Sequence, residues 1–409
     1  MSRFLLPFLL LTTGLLSSIY FYPVFALLLG YLIYERRGCI PISALRPLAP
    51  LVLIVFAGMV FIDTRDIYGS LRDLWYISKI ILIAMTGLLV GVAFEIDPKW
   101  FRKLMSVVLV LSFLNLARAL LGSEAEGSRH LSYFAALMGP FILRYHSRRG
   151  VSSRVIRVVL VLLVVGMVAL SGSRAGLLTL IVAYLASRGI FERARYTFLA
   201  GGAIAMLALV VWPLLPQYDM GEITFLGKIQ NSINELTFET GEDRIDMYAN
   251  WRGFEAYRAY ETWLNASFIQ KIVGLGFGES IDLGRFVAYE SDEISSLPFV
   301  HNAYFTLLVK TGIVGIAAMV YALFLPFRIR FNRHDPDAVV LNQISCSAAV
   351  VLLLTMALIA GPLNKESMDG VVLLWAWSSG ALVRIGRQAR VSQAKGNPHD
   401  WVAPRLTVS

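Results

Sequence analysis

Apolar runs of about 15 to 24 residues recur along nearly the whole chain, and at 1.5 Å rise per residue that is the length a helix needs to cross the hydrocarbon core of a bilayer. Length alone, at roughly one domain per 150 residues, would argue for two or three soluble domains. Composition overrules it: hydrophobic residues make up 57% of the chain and charged residues only 16%. The expectation is an all-α polytopic membrane protein with about 12 transmembrane helices. They are placed near 4–18, 20–34, 47–62, 74–94, 104–121, 131–144, 155–170, 175–187, 196–215, 301–325, 338–361 and 370–385. For the first two a re-entrant pair is the alternative. Pro41 and Pro50, Pro98, Pro213 and Pro216 fall at the breaks between runs.

MSRFLLPFLLLTTGLL at the N-terminus has the arginine and apolar core of a signal peptide, but without a convincing small-residue cleavage site it reads as the first span. Cys39 and Cys346 are too far apart in character to suggest a disulfide or a metal cluster. The net charge of +9 is that of cytoplasmic loops held by anionic lipid rather than of a nucleic-acid binder.

Charge then orients the helices. Arg3, Arg36, Arg37 and Arg46, then Lys99, Arg102 and Lys103, then Arg144, Arg148 and Arg149, then Arg328, Arg330 and Arg333 alternate with loops that hold few basic residues. Positive loops resist translocation, so both termini are expected in the cytoplasm. The division that follows is transmembrane helices 1–9 over 1–215, a large periplasmic loop with a helical segment over 216–300, transmembrane helices 10–12 over 301–385, and a polar, disordered cytoplasmic tail over 386–409. In 216–300 acidic residues outnumber basic ones, as suits a segment that must cross.

This topology sorts the five histidines. His146, His334 and His399 fall inside; His130 and His301 fall outside. Imidazole titrates near neutrality, so His301 is a candidate general base, and at the start of a helix the positive dipole end would keep its ring uncharged. An interfacial histidine that caps a helix is the simpler reading of the residue alone. Arg174, in LSGSRAGLL between two apolar runs, offers a fork of donors to phosphate or carboxylate, with Ser171, Ser173 and backbone amides beside it. Snorkelling to lipid head groups explains it equally well.

TGEDRIDMYANWRGFEAYRAYETWLNAS (240–267) predicts a helix opened by a Thr240/Asp243 capping box. Arg244, Tyr248, Trp251, Glu255 and Arg258 fall on one face. Its aromatics wrap around the axis, most of them suited to the membrane interface and some to stacking on sugar rings. IVGLGFGES, which follows, predicts a tight backbone turn but lacks the Gly-Lys-Ser/Thr of a P-loop. No His/Cys pair has metal-ligand spacing and the outer loop holds no Asp-x-Asp, so a site without metal or cofactor is the simpler reading. Lys79 and Lys310, inside apolar runs, must face protein or water.

Four features in order resemble the O-antigen ligase and O-antigen polymerase family of bacterial inner-membrane glycan transferases: Ser171-Gly172-Ser173-Arg174, Arg244 in a large outer loop, Gly274-Leu275-Gly276-Phe277-Gly278, and His301-Asn302 followed by Gly312 and Gly315. The resemblance covers roughly 160–330; the first half of the chain matches in topology only. Ala175 departs from the Gly or hydroxyl residue common after the arginine. What the resemblance implies is a GT-C-like fold and a metal-independent, inverting transfer of a glycan from an undecaprenyl diphosphate carrier to a hydroxyl on the periplasmic face. The acceptor is lipid A-core for a ligase, or a carrier-linked glycan for a polymerase. His301 then serves as base and Arg174 and Arg244 as the diphosphate's donors, with Ser173, Tyr248, Trp251, Arg252 and Asn302 contacting substrate. Membrane lipids are the remaining partner, and nucleic acid is not one. A secondary transporter or lipid flippase is the reading from another class, disfavoured because no internal repeat appears and the notable charges cluster at the outer surface. A structural partner in a glycan-export complex is the third.

Overall fold

The computed structural model describes residues 8–9, 18–35, 45–94, 107, 110, 113–114, 117, 127–148, 154–170, 174–192, 238, 247, 250–289, 292–329, 331–358, 361–364 and 368–394. Its helices are α1 (Ser18–Glu35), α2 (Ala49–Val60), α3 (Ile67–Ala93), α4 (Gly127–Arg148), α5 (Arg154–Leu170), α6 (Arg174–Ser187), α7 (Trp251–Leu264) and α8 (Phe268–Val273). A hairpin of β1 (Ile281–Tyr289) and β2 (Asp292–Leu297) follows, then α9 (Ala303–Phe324), α10 (Pro336–Leu358), α11 (Gly361–Asn364) and α12 (Asp369–Ala394). Among the described residues three helices are long and apolar enough to cross a membrane: Ile67–Ala93, Pro336–Leu358, and α9 continued to Arg328. The expected helices at 4–18, 104–121 and 196–215 lie largely outside the described residues.

The bundle is assembled by close approach more than by bulk. α3 and α12 pack along their lengths; a Cβ added at Gly91 would sit 2.2 Å from the Trp377 carbonyl oxygen, and one at Gly380 would sit 2.4 Å from that of Leu88. In a membrane, where lipid is as apolar as leucine, small residues let helices gain van der Waals contact that larger ones forbid. Hydroxyls add to it. Ser345 of α10 and Ser379 of α12 bond at 2.7 Å, and Tyr22 of α1 donates to Asp369 at the start of α12 at 2.8 Å. The outside of the bundle shows the complementary pattern, with Phe56, Met59 and Leu162 exposed.

The structure departs from the sequence reading in three places. α3 begins at Ile67, not near 74, because Asp66 caps it by accepting from the Gly69 N–H at 2.8 Å and because the charges of its first turns have partners. α12 runs to Ala394, past the tail boundary drawn at 386, since Arg387, Gln388, Arg390 and Gln393 are good helix formers. The chain is also not all-α: β1 and β2 pair antiparallel, with Ile281 opposite Leu297 and Val287 opposite Ile294. Ile281, Leu283 and Val287 are buried while Asp282 and Phe286 are exposed, the alternation of a half-buried strand interrupted at exposed Gly284 and Arg285.

α7 lies between this hairpin and α9. Phe254 and half-buried Trp251 pack with Met247, Leu283, Val287 and Leu297, while Ala259 packs with Ile281, Val300 and Val309. The helix starts at the Asn250 cap, whose side chain accepts from the Gly253 N–H at 3.3 Å. The Thr240/Asp243 box expected to open it lies outside the described residues.

Candidate functional site

The glycine-rich turn is a strap that ties the segment between α8 and β1 to the bundle. α9 is broken at Gly312, which adopts φ +64° and ψ −163°. Just before that break the carbonyls of Val309 and Lys310 accept from the N–H groups of Leu275 (2.7 Å) and Gly276 (3.2 Å). On the strap's other side Phe277 donates to the Gly58 carbonyl and its own carbonyl accepts from the Asp63 N–H, both at 2.8 Å. Gly276 has φ +104°, and a Cβ there would lie 1.8 Å from the Phe61 carbonyl oxygen, so no other residue fits without displacing backbone.

Beneath the strap is a dry ion pair. Lys310 Nζ lies 2.6 Å from Asp73 Oδ2, each side chain 2% exposed, and the Gly278 N–H donates to the same oxygen at 2.9 Å. Lys310 also donates to the Glu279 carbonyl and sits 5.6 Å from the Phe299 ring centroid. The lysine expected to face protein or water does so by pairing with Asp73. Lys79 is buried too, its ammonium 5.1 Å from the Tyr76 ring centroid. Arg72, in the second turn of α3, places its guanidinium 5.2 Å from the Phe299 ring centroid. Glu279 is half-buried beside this pair, and burial raises its carboxyl above the usual range, Asp63 adding to the rise and Lys310 opposing it.

Two residues beyond Phe299 is His301. Its imidazole Nδ1 lies 2.8 Å from Glu255 Oε2, and its backbone N–H donates to the same oxygen at 3.0 Å. Glu255 is 3% exposed and the imidazole 33% exposed, so one end of the pair is dry and the other open. A buried carboxylate is tolerated only with such donors. Glu255 and Ala259 are one turn apart on α7, which directs both at the segment leading into α9. The helix itself begins at Ala303 and not at His301: Asn302 caps it, its side chain accepting from the Tyr304 N–H at 3.0 Å. The group in contact with the imidazole is therefore a carboxylate rather than a helix end.

The other sequence candidates are distributed as follows. Trp251 packs on Phe254 with ring centroids 5.6 Å apart, and Arg252 reaches the Leu358 carbonyl of α10 at 3.4 Å. Arg174 opens α6. Ser173, Arg244 and Tyr248 lie outside the described residues, as does the side chain of Arg174. Sequence reasoning placed Glu255 on a helix face without singling it out, and it passed over Arg72 and Phe299; a glutamate whose partner stands 46 residues away leaves no local signal.

A family model described as O-antigen ligase matches residues 158–320, a segment that contains α7, the strap, the hairpin and His301. No curated protein matches the chain.

Proposed function

With the O-antigen ligase family supported by that match, and with it the activity of a membrane glycosyltransferase, we propose that the chain moves a glycan from an undecaprenyl diphosphate carrier to a hydroxyl of lipid A-core on the periplasmic face of the bacterial inner membrane. The observation that carries this reading is His301, a half-open imidazole in the matched segment at the mouth of an apolar helix. In the reaction His301 Nε2 takes the acceptor's hydroxyl proton. The freed oxygen bonds to the anomeric carbon from the side opposite the carrier, the bond from that carbon to the diphosphate oxygen breaks, and the configuration inverts. Negative charge gathers on the departing diphosphate, and guanidinium forks aimed there supply the largest electrostatic contribution. Arg174 and Arg244 fill that role without a metal, Ser173 and Asn302 add polar contacts, and Tyr248, Trp251 and Arg252 border the sugar. In this reading twelve spans carry a periplasmic loop over 216–300 between cytoplasmic termini.

The test uses full-length protein in liposomes supplied with carrier-linked repeat units, with and without lipid A-core. Product that appears only when lipid A-core is present supports the ligase. Longer chains made from carrier-linked units alone identify a polymerase. Movement of labelled solute or lipid with no glycan product overturns the transferase reading altogether.

A further inference from the structure

We infer that Glu255 is the positioning residue of His301, setting which imidazole nitrogen is bare and where it points. A single oxygen, Oε2, accepts from the backbone N–H (3.0 Å) and lies 2.8 Å from ring Nδ1 of the same residue, which closes a loop through the side chain and restricts its rotation. An ionised carboxylate only accepts hydrogen bonds, so the nitrogen facing it is the one that carries hydrogen. Nε2, on the other side of the ring, is then bare. The exposure pattern matches: the carboxylate is 3% exposed and the ring 33%, so the nitrogen turned from Glu255 is the one that meets an incoming group. When Nε2 takes a proton, the carboxylate already in contact with the ring opposes the new positive charge, with no reorganisation required at that moment.

The anchorage of Glu255 supports this role. It stands on α7 between Phe254, held in the hairpin core, and Ala256, and one turn from Ala259, which packs against Val300 and Val309. α7 is thereby clamped on both sides of the carboxylate, and the strap binds the same stretch of α9 from below. The hairpin's contribution to the site is to hold the acid still.

Its rate readout rests on the glycan-transfer reading; its spectroscopic readout does not. Full-length protein selectively labelled with 15N-histidine, with His301→Ala to assign the resonance, is expected to show a protonated Nδ1 and a bare Nε2. Glu255→Gln keeps the shape and an accepting oxygen but removes the charge and adds a competing donor. It is expected to move ring protonation toward Nε2 and to lower kcat about 10²-fold to 10³-fold with KM within about twofold, whereas Glu255→Asp, with charge retained, recovers part of that loss. A Gln variant with wild-type kcat and an unchanged ring tautomer would overturn the inference, as would a wild-type ring protonated on Nε2. Should Glu255→Gln fail to fold, the wild-type tautomer still decides. A wild-type protein that makes no glycan product yet shows bare Nε2, lost in the Gln variant, refutes the transferase reading and leaves the positioning role standing.

Discussion

Two acid–base pairs brace α9 and the segment leading into it, Asp73 of α3 with Lys310 of α9 and Glu255 of α7 with His301, and they are built in opposite ways. Asp73 and Lys310 meet at 2.6 Å with both side chains 2% exposed; the Gly278 N–H donates to the same Asp73 oxygen, Lys310 donates to the Glu279 carbonyl, and Arg72 Nε stands 3.5 Å from the other carboxylate oxygen. Glu255 and His301 meet at nearly the same distance, 2.8 Å, but only the acid is dry. A pair whose two charges are sealed against each other fixes a junction and does little else. A pair whose base faces outward keeps one nitrogen for an arriving proton while the acid stays fixed. In the proposed reading, openness of the basic partner, rather than the presence of a buried acid, is what separates the chemical pair from the structural one.

The largest expected effect comes from removing the open base. His301→Ala is expected to lower transfer by about 10³-fold or more while the protein still folds and inserts, because the ring fills no core. Turnover in liposomes alongside thermal unfolding checks both halves, and a variant that unfolds instead would make His301 a second structural partner. The dry pair should respond in the opposite manner. Lys310→Met leaves the buried Asp73 with Arg72, its Nε 3.5 Å from Oδ1, as the remaining charged partner, at a cost of about 3 kcal/mol, while the double variant with Asp73→Asn recovers much of it because both charges of the pair are gone. Thermal unfolding in detergent measures the cycle; additive losses would show that the two residues do not act as a pair. Gly276→Ala attacks the same junction through the backbone. Positive φ and the approach of the Phe61 carbonyl together predict a loss of about 2 kcal/mol, read as a lowered unfolding temperature.

The two pairs also differ in how far the sequence revealed them. The apolar runs were enough to locate α1, α2, α4, α5, α6, α9 and α10 within a few residues, since span length and hydropathy are local properties. The same rule drew α3 too short: Arg72 and Asp73 look like loop residues until Lys310, far along the chain, neutralises the carboxylate. His301 stood out because an ionisable group at the mouth of an apolar run is unusual in itself. Glu255 did not, because on an aromatic-rich helix a glutamate resembles a solvated face, and only tertiary contact tells that it is buried. The hairpin was missed for a related reason: Gly284 and Arg285 interrupt an alternation whose meaning depends on α7 covering one side of it.

The smallest effect sharpens the comparison at its border. Glu279 stands beside the dry pair, and its carboxyl is raised above the ordinary value of 4.5 chiefly by burial. The folded state thus holds that proton more tightly than the unfolded chain does. The stability it confers is complete below about 4.5 and is lost as pH climbs through the higher folded value, so at neutral pH an ionised Glu279 sits in its partly buried place at a cost. Glu279→Gln cannot ionise and is expected to raise the unfolding temperature slightly at pH 7 to 8, with the gap closing toward pH 4.5; the half of the side chain that faces water keeps the gain small. A glutamine variant less stable than wild type at neutral pH would show instead that the attraction of Lys310 for the ionised Glu279 outweighs the cost of its burial. The sign of one modest shift in melting temperature therefore reports which of the two, burial or the lysine's attraction, dominates at Glu279.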